Sequence, residues 1–285
     1  MDVLVIGGAN LDIKAKSTTR PVAATSNPSV VTTKPGGVAR NIAHNLARLD
    51  IDVGLLSVVG DDAVGESLLA ATAAAGVDIS ACKIGLGVTG TYIAFLDEQG
   101  ELITAANDMG VLQALTPELI QKHAAEIQSA KFVLADCNLH IDTLLALAAL
   151  AKDKLIIEPV SVEKSQRLKI LMDGTPVFLA TPNLDQIEAL TGSRLPPLAA
   201  QSLERMGLKN LVIHAGADGA YAYADGLLTH IAARAKTVLD VTGAGDAATA
   251  GLICGLIKGM PLVKAAELGQ ELAAKVLASH ASTLE

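Results

Sequence analysis

The stretch Asp240-Val241-Thr242-Gly243-Ala244-Gly245-Asp246 decides how this chain is read, together with the apolar run over residues 247–257 behind it. Gly243, Ala244 and Gly245 are small enough for successive backbone N–H groups to converge on an anion. A helix starting there adds the positive end of its dipole. A phosphate oxygen is the natural guest. Asp246 falls in the first turn of that helix, beside the anion hole, which is a repulsive place for an idle carboxylate. It makes sense there if it takes a proton from a hydroxyl while the hole stabilises charge on the phosphoryl group under attack. A Gly-rich turn with an Asp cap has the same local pattern, so the rest of the chain must discriminate.

Residues 2–6 form a continuous apolar run, suited to a strand covered on both faces. It ends in Gly7-Gly8-Ala9-Asn10-Leu11-Asp12. Asn10 and Asp12 therefore follow the carboxyl end of a strand, where open α/β sheets hold ligands, although both are also ordinary turn formers. Residues 13–34 then break into short β-branched, polar-alternating pieces around Ser26-Asn27-Pro28. A hairpin follows over 90–97 and 101–106, turning at Asp97-Glu98-Gln99-Gly100. These pieces predict a small β lid, about 13–34 and 88–106, beside the main sheet. The hairpin returns to the body at Asn107-Asp108, near the expected cleft.

Pro35-Gly36-Gly37 opens a helix with Val38, Ile42 and Leu46 on its apolar face. The glycines permit close backbone approach to a ligand, and Asn41 lies one turn into the helix. Arg40 reads as a solvated surface charge. Strands are predicted over 53–59, 132–135, 155–157, 177–180 and 211–214. Helices are predicted over 117–128, 141–151, 162–172, 184–190 and 262–278. Such alternation implies an α/β fold with parallel strands and right-handed crossovers. Asp136-Cys137-Asn138 and Glu158 follow two of the strands directly, on the ligand edge. No linker or repeat divides residues 1–285, so one domain with a lid is expected.

The chain is 51% apolar but only 2% aromatic, without Trp, so its core must be built from Ala, Leu, Val and Ile. A net charge of -8 argues against a nucleic-acid or anionic-membrane surface. The three cysteines form no C-x-x-C pair and read as reduced thiols of a cytoplasmic protein. No uncharged apolar stretch is long enough to predict a membrane span.

G-G-V-A-R-N-I-A, from Gly36 to Ala43, and D-V-T-G-A-G-D, from Asp240, together resemble the paired signatures of the PfkB or ribokinase-like family of sugar and nucleoside kinases. The resemblance runs through the whole chain in order. S-N-P at Ser26, A-N-D-M at Ala106, A-D-C-N at Ala135 and P-V-S-V-E-K at Pro159 are more narrowly similar to the pseudouridine kinases within it. The resemblance implies a three-layer α/β/α domain with a β lid. It also implies transfer of the ATP γ-phosphoryl to a primary hydroxyl, with Mg²⁺ and often a stimulating K⁺. Asp246 would be the base and Gly243, Ala244 and Gly245 the anion hole. Asn10, Asp12, Gly36, Gly37 and Asn41 would contact the sugar hydroxyls. Asn107, Asp108 and Lys164 are candidates near the base of a nucleoside such as pseudouridine. Asn183, Gln186, His214, Gly216, Asp218 and Gly219 match the nucleotide side. Asp240 and Thr242 match a monovalent-cation site.

Three positions depart from the family pattern. Gln186 stands where the family's N-x-x-E carries a Glu that organises Mg²⁺-bound water. His214 replaces a Ser or Thr that normally meets the ATP phosphates. The sequence also ends at Glu285, soon after its last helix, where relatives often continue through a segment completing the adenine pocket and the cation site. Three readings stay open: a pseudouridine 5'-kinase, a sugar kinase of other specificity, and a nucleoside-binding protein with weakened catalysis. Exposed lid edges point to a homodimer through the lid.

Overall fold

The computed structural model describes residues 1–279 and 281–284; the terminal Glu285 lies outside them. The lid and its surroundings come first in the chain. The strands are β1 (Val3–Ile6), β2 (Asn10–Ser17), β3 (Ser29–Gly36), β4 (Val53–Leu56), β5 (Val58–Gly60), β6 (Lys83–Gly85), β7 (Thr91–Leu96) and β8 (Leu102–Asp108), with helices α1 (Val38–Ala47) and α2 (Ala63–Ala74). The middle third holds α3 (Pro117–Lys122), α4 (Ala124–Ser129), β9 (Phe132–Asp136), α5 (Ile141–Ala151), β10 (Leu155–Glu158), α6 (Val162–Met172), β11 (Leu179–Ala180) and α7 (Leu184–Thr191). The last third adds α8 (Pro196–Arg205), β12 (Leu211–His214), β13 (Ala220–Ala224), β14 (Leu227–Ile231), α9 (Ala244–Ile257) and α10 (Leu262–Leu277).

The main sheet has the order β14-β13-β12-β11-β10-β9-β1-β4. The run from β4 to β12 is parallel, and β13 and β14 add an antiparallel edge. Strand β1 shows how sequence sets the layers. Val3 and Val5 point to a core shared with α1, α9 and α10, while Leu4 and Ile6 point to one built by α3 to α8. Each Leu or Ile fully buried there is worth roughly 1.5–3 kcal/mol. The lid is a separate sheet, β3-β2-β7-β8. Its strands run longer than the sequence suggests, so Asn10 and Asp12 belong to β2 itself.

Several boundaries differ from expectation. The strand predicted over 53–59 breaks at Ser57, whose buried hydroxyl donates to Gly7 O at 2.7 Å; β5 then pairs with β6 in a small sheet of its own. The helix predicted over 117–128 is two short helices that part at His123. Among the described residues, no helix is long and apolar enough to cross a membrane.

Candidate active site

Chain order reverses around β1: the first crossover leads to β4 on one side, the later one to β9 on the other. Open α/β sheets bind ligands at such a switch, outside the carboxyl ends of the strands. Asp136, at the end of β9, closes this point. Its buried carboxylate accepts from Gly8 N (2.8 Å), Ala39 N (3.2 Å) and Asn138 N (2.9 Å). Helix α1 begins at Gly37 with no side-chain cap of its own, so Asp136 caps it from across the sheet. Gly37 adopts φ 95°, and a Cβ there would lie 2.4 Å from Gly8 O. Gly36 leaves the space into which the Asp12 carboxylate fits.

Asn41 and Asp246, from α1 and α9, meet over this floor. Asn41 Nδ2 donates to Asp246 Oδ2 at 2.8 Å. Burial pushes the Asp246 carboxyl well above the usual carboxylate range. The Asn41 hydrogen bond opposes that rise, and the charges of Glu158, Asp136 and Asp12 add to it. Glu158 is itself pushed up to about 7, chiefly by burial. On the lid side, Asn10 Nδ2 donates to Asp12 Oδ1 at 2.6 Å, and burial raises the Asp12 carboxyl as well. Just ahead of Asp246, Gly243 caps α9 with φ 79°, and a Cβ there would strike Ser282 O. A Cβ on Gly245 would meet nothing within 4 Å. Ala244 N donates weakly to Val241 O at 3.4 Å; the other first-turn N–H groups of α9 have no intrahelical acceptors, and the space beside Gly245 is open to a ligand.

Arg40 is not the surface charge its sequence position suggests; it is only 3% exposed. Its guanidinium donates to Asn41 Oδ1 (3.0 Å), Thr72 Oγ1 (3.3 Å) and Pro35 O (3.4 Å), and lies against His44 Nδ1 (3.0 Å). Thr72 of α2 and Pro35 of β3 supply acceptors that water would otherwise provide. Burial brings Arg40 down to about 10, against the pull of Asp12 and Asp246. It stays charged and fixes which end of the Asn41 amide faces Asp246. Arg40→Met keeps much of the volume and removes the charge. It should lower turnover about 10-fold and move the acidic limb of the pH–rate profile upward, because Asp246 loses a stabilising cation. Arg40→Lys should leave the limb near its original pH. Steady-state kinetics across pH separate the two variants.

Other candidate residues are placed less centrally. Sheet alternation puts Asn107 in one row with Tyr92 and Asp12, on the face that also carries Lys14. Asp108 falls in the row of Leu11 and Thr91, on the opposite face, and accepts from Gly110 N at 3.0 Å. A lid strand cannot offer both to one ligand. Lys164 Nζ donates to Asn138 Oδ1 at 2.6 Å, beside Gly8. Gly216, Ala217 and Asp218 form a short turn after β12, and Asp218 O bonds His230 Nε2 at 2.7 Å. Gly219, at φ 89°, packs against the backbone after β14. Burial lowers His214 to about 4, so it is neutral at neutral pH; its Nε2 faces Thr249 Oγ1 of α9 at 3.3 Å.

Gln186 is held in a capping box: its Oε1 accepts from Asn183 N (2.8 Å) and Asn183 Oδ1 accepts from Gln186 N (2.9 Å). Asp185 and Glu188 pair with Arg194, away from this cap. Among the described residues, no group of three or more His, Cys, Asp or Glu side chains is arranged to hold a metal. A Mg²⁺ carried in on nucleotide phosphates would keep most of its water and ask for few protein carboxylates. A Glu at 186 could keep the capping bond with one oxygen and present a charged second oxygen where the amide nitrogen now stands. Gln186→Glu is expected to lower the Mg²⁺ needed for half-maximal rate about 10-fold, within the range for outer-shell groups. An Mg²⁺ titration of initial rate with both proteins checks this.

The model of the pfkB family carbohydrate kinases matches residues 1–284. The chain belongs to that family and is a kinase. It is 37% identical to the pseudouridine kinase of Escherichia coli over 94% of this chain and 88% of that protein. It is also 34% identical to the Escherichia coli protein named Uncharacterized sugar kinase YeiI, over 90% of this chain and 72% of the relative. The ribokinase of Arabidopsis thaliana, solved with ribose and ATP, superposes with a TM-score of 0.85 at 20% identity, covering 98% of this chain and 93% of its own. That likeness shows the three-layer fold with its lid.

Two features of the site were not read from sequence. The capping role of Asp136 depends on a contact between β9 and α1 that no local pattern announces. The burial of Arg40 depends on elements packed from elsewhere in the chain.

Proposed function

We propose that this kinase transfers the γ-phosphoryl group of ATP to the 5'-hydroxyl of pseudouridine, giving ADP and pseudouridine 5'-phosphate. The observation that carries the reading is the Asn41–Asp246 pair at the start of α9, facing the Asn10–Asp12 pair of the lid, in a chain 37% identical to a pseudouridine kinase. In this reading Asp246 accepts the proton of the 5'-hydroxyl. The freed oxygen pair forms the new bond to the γ-phosphorus, and the bond from that phosphorus to the bridging oxygen breaks, leaving ADP. Backbone N–H groups at Gly243, Ala244 and Gly245 stabilise the charge on the phosphoryl oxygens. Its raised proton affinity makes ionised Asp246 a stronger base than an ordinary carboxylate. When bound with ATP, Mg²⁺ supplies charge neutralisation between the phosphates.

Lys164, beside Asn138, and Asn107, on the site face of the lid, are the groups we assign to the nucleobase side. The test is ADP release with pseudouridine, uridine, ribose and fructose as acceptors. Fastest turnover on pseudouridine is expected. Preference for ribose or fructose would assign the chain to the sugar kinases instead, the second reading favoured by its 34% identity to YeiI. Firm pseudouridine binding without ADP release on any acceptor would select the binding-protein reading.

We read residues 1–285 as one kinase domain acting in the cytoplasm, consistent with Cys82, Cys137 and Cys254 being free thiols. We also infer a homodimer through the lid. Val31 (60% exposed) and Ile93 (44%) lie on the lid face turned away from Asp12, and β3 and β8 are its open edges. A groove of about 610 Å³ lined by Phe95 and Ile103 opens beside them, away from the cleft. A second copy would cover both edges and groove.

A further inference from the structure

The pair that matches the family's monovalent-cation site, Asp240 and Thr242, is engaged by a side chain. Lys14 Nζ lies 2.9 and 3.2 Å from the two carboxylate oxygens of Asp240 and donates to Thr242 Oγ1 at 2.6 Å. An ammonium has three donors, and here three acceptors surround it. Asp240 also accepts from Thr242 N at 2.9 Å. The Asp240 carboxylate and the Lys14 ammonium form an ion pair at 2.9 Å, so the charge of Asp240 is met by Lys14. A metal ion at the same oxygens would have to displace an ammonium of the same charge, so this donor set does not fit a resident K⁺.

We propose that Lys14 is a positioning residue that replaces the monovalent cation. It neutralises Asp240 just ahead of the anion hole and fixes the loop that ends in Gly243. The charge comes from the lid: Lys14 sits on β2, two residues beyond Asp12 on the same face. A metal ion would bind from solvent at any time. Lys14 and Asp12 share β2, so one lid strand sets both the counter-charge of this loop and the contact to the nucleoside. Rate should then be independent of K⁺.

The experiment is a KCl titration at constant ionic strength, balanced with choline chloride, on wild type and Lys14→Met. One readout is initial rate with the best acceptor. The other is the thermal unfolding midpoint without substrate, which does not depend on the pseudouridine reading, so the two can fail separately. Wild type should show neither a rate response nor a K⁺-specific shift in midpoint. Lys14→Met should lose about 10–100-fold in rate, regain part of it in KCl, and melt higher in KCl than in choline chloride. Stimulation of the wild type by K⁺ would overturn the proposal. So would a slowed Lys14→Met that ignores K⁺ in both readouts, which would make Lys14 a lid latch alone. If no acceptor is phosphorylated, the melting comparison decides.

Discussion

Asp246→Asn is expected to reduce turnover on the order of 10²–10⁴-fold while leaving nucleoside affinity nearly unchanged. The amide matches the carboxylate in shape and still offers an oxygen to Asn41 Nδ2, so the 2.8 Å contact that aligns the pair can survive. What is lost is the group that takes the hydroxyl proton. A helix cap would behave otherwise, because Asn caps about as well as Asp. Near-normal turnover in the mutant would reduce Asp246 to that structural role.

The pH profile gives a second reading of the same group. Burial raises Asp246, so its ionised form, the competent base, builds up only well above the usual carboxylate range. The rate should climb with pH through that displaced limb. Glu158 is one of the charges that push Asp246 up, so Glu158→Gln should move the limb to lower pH. A limb that stays in place would separate Glu158 from the base.

Much of the architecture was legible because burial on both faces leaves continuous apolar runs. Helices α5 and α6 follow from their spacing, and β1 and β12 from their unbroken apolar character. What escaped was set by contacts between distant segments or by weak local signals. Hairpin β13–β14 turns at Asp225 and Gly226, with φ of 50° and 76°, so its signal is a single D-G pair between short alternating runs. Helix α8 starts at Pro196 with no side-chain cap, so Leu195-Pro196-Pro197 reads as loop. Residue types at the site were visible, but their partners were not. Nothing near Lys14 in sequence points to Asp240, and the spacing of α1 placed Arg40 in water. Gln186 could be recognised as a departure, whereas its capping bond to Asn183 needed the folded chain.

Asp12→Ala should weaken nucleoside binding about 100-fold and leave ATP binding almost untouched. The reasoning begins with location. Asp12 lies on β2 of the lid, on the row that faces the cleft, and its carboxylate fills the space left by Gly36. Burial raises its proton affinity, but the Asn10 hydrogen bond and the charges of Lys14, Arg40 and Lys34 oppose the rise. A carboxylate so supported can accept from two vicinal hydroxyls at once. Charge-assisted hydrogen bonds are worth about 1.5–3 kcal/mol each, so losing one or both would account for a change of this size. The nucleotide-side residues Asn183 and Gln186 are held by their own capping box and share no bond with Asp12. Calorimetry with pseudouridine and with ATP, on wild type and mutant, separates the two effects. Asp12→Asn is the informative companion: it keeps an acceptor oxygen next to Asn10 but gives up the charge, and should fall between the two. Equal nucleoside affinity in all three proteins would move the sugar contact elsewhere. Equal losses for nucleoside and ATP would mean that Asp12 holds the lid together and does not hold the ligand.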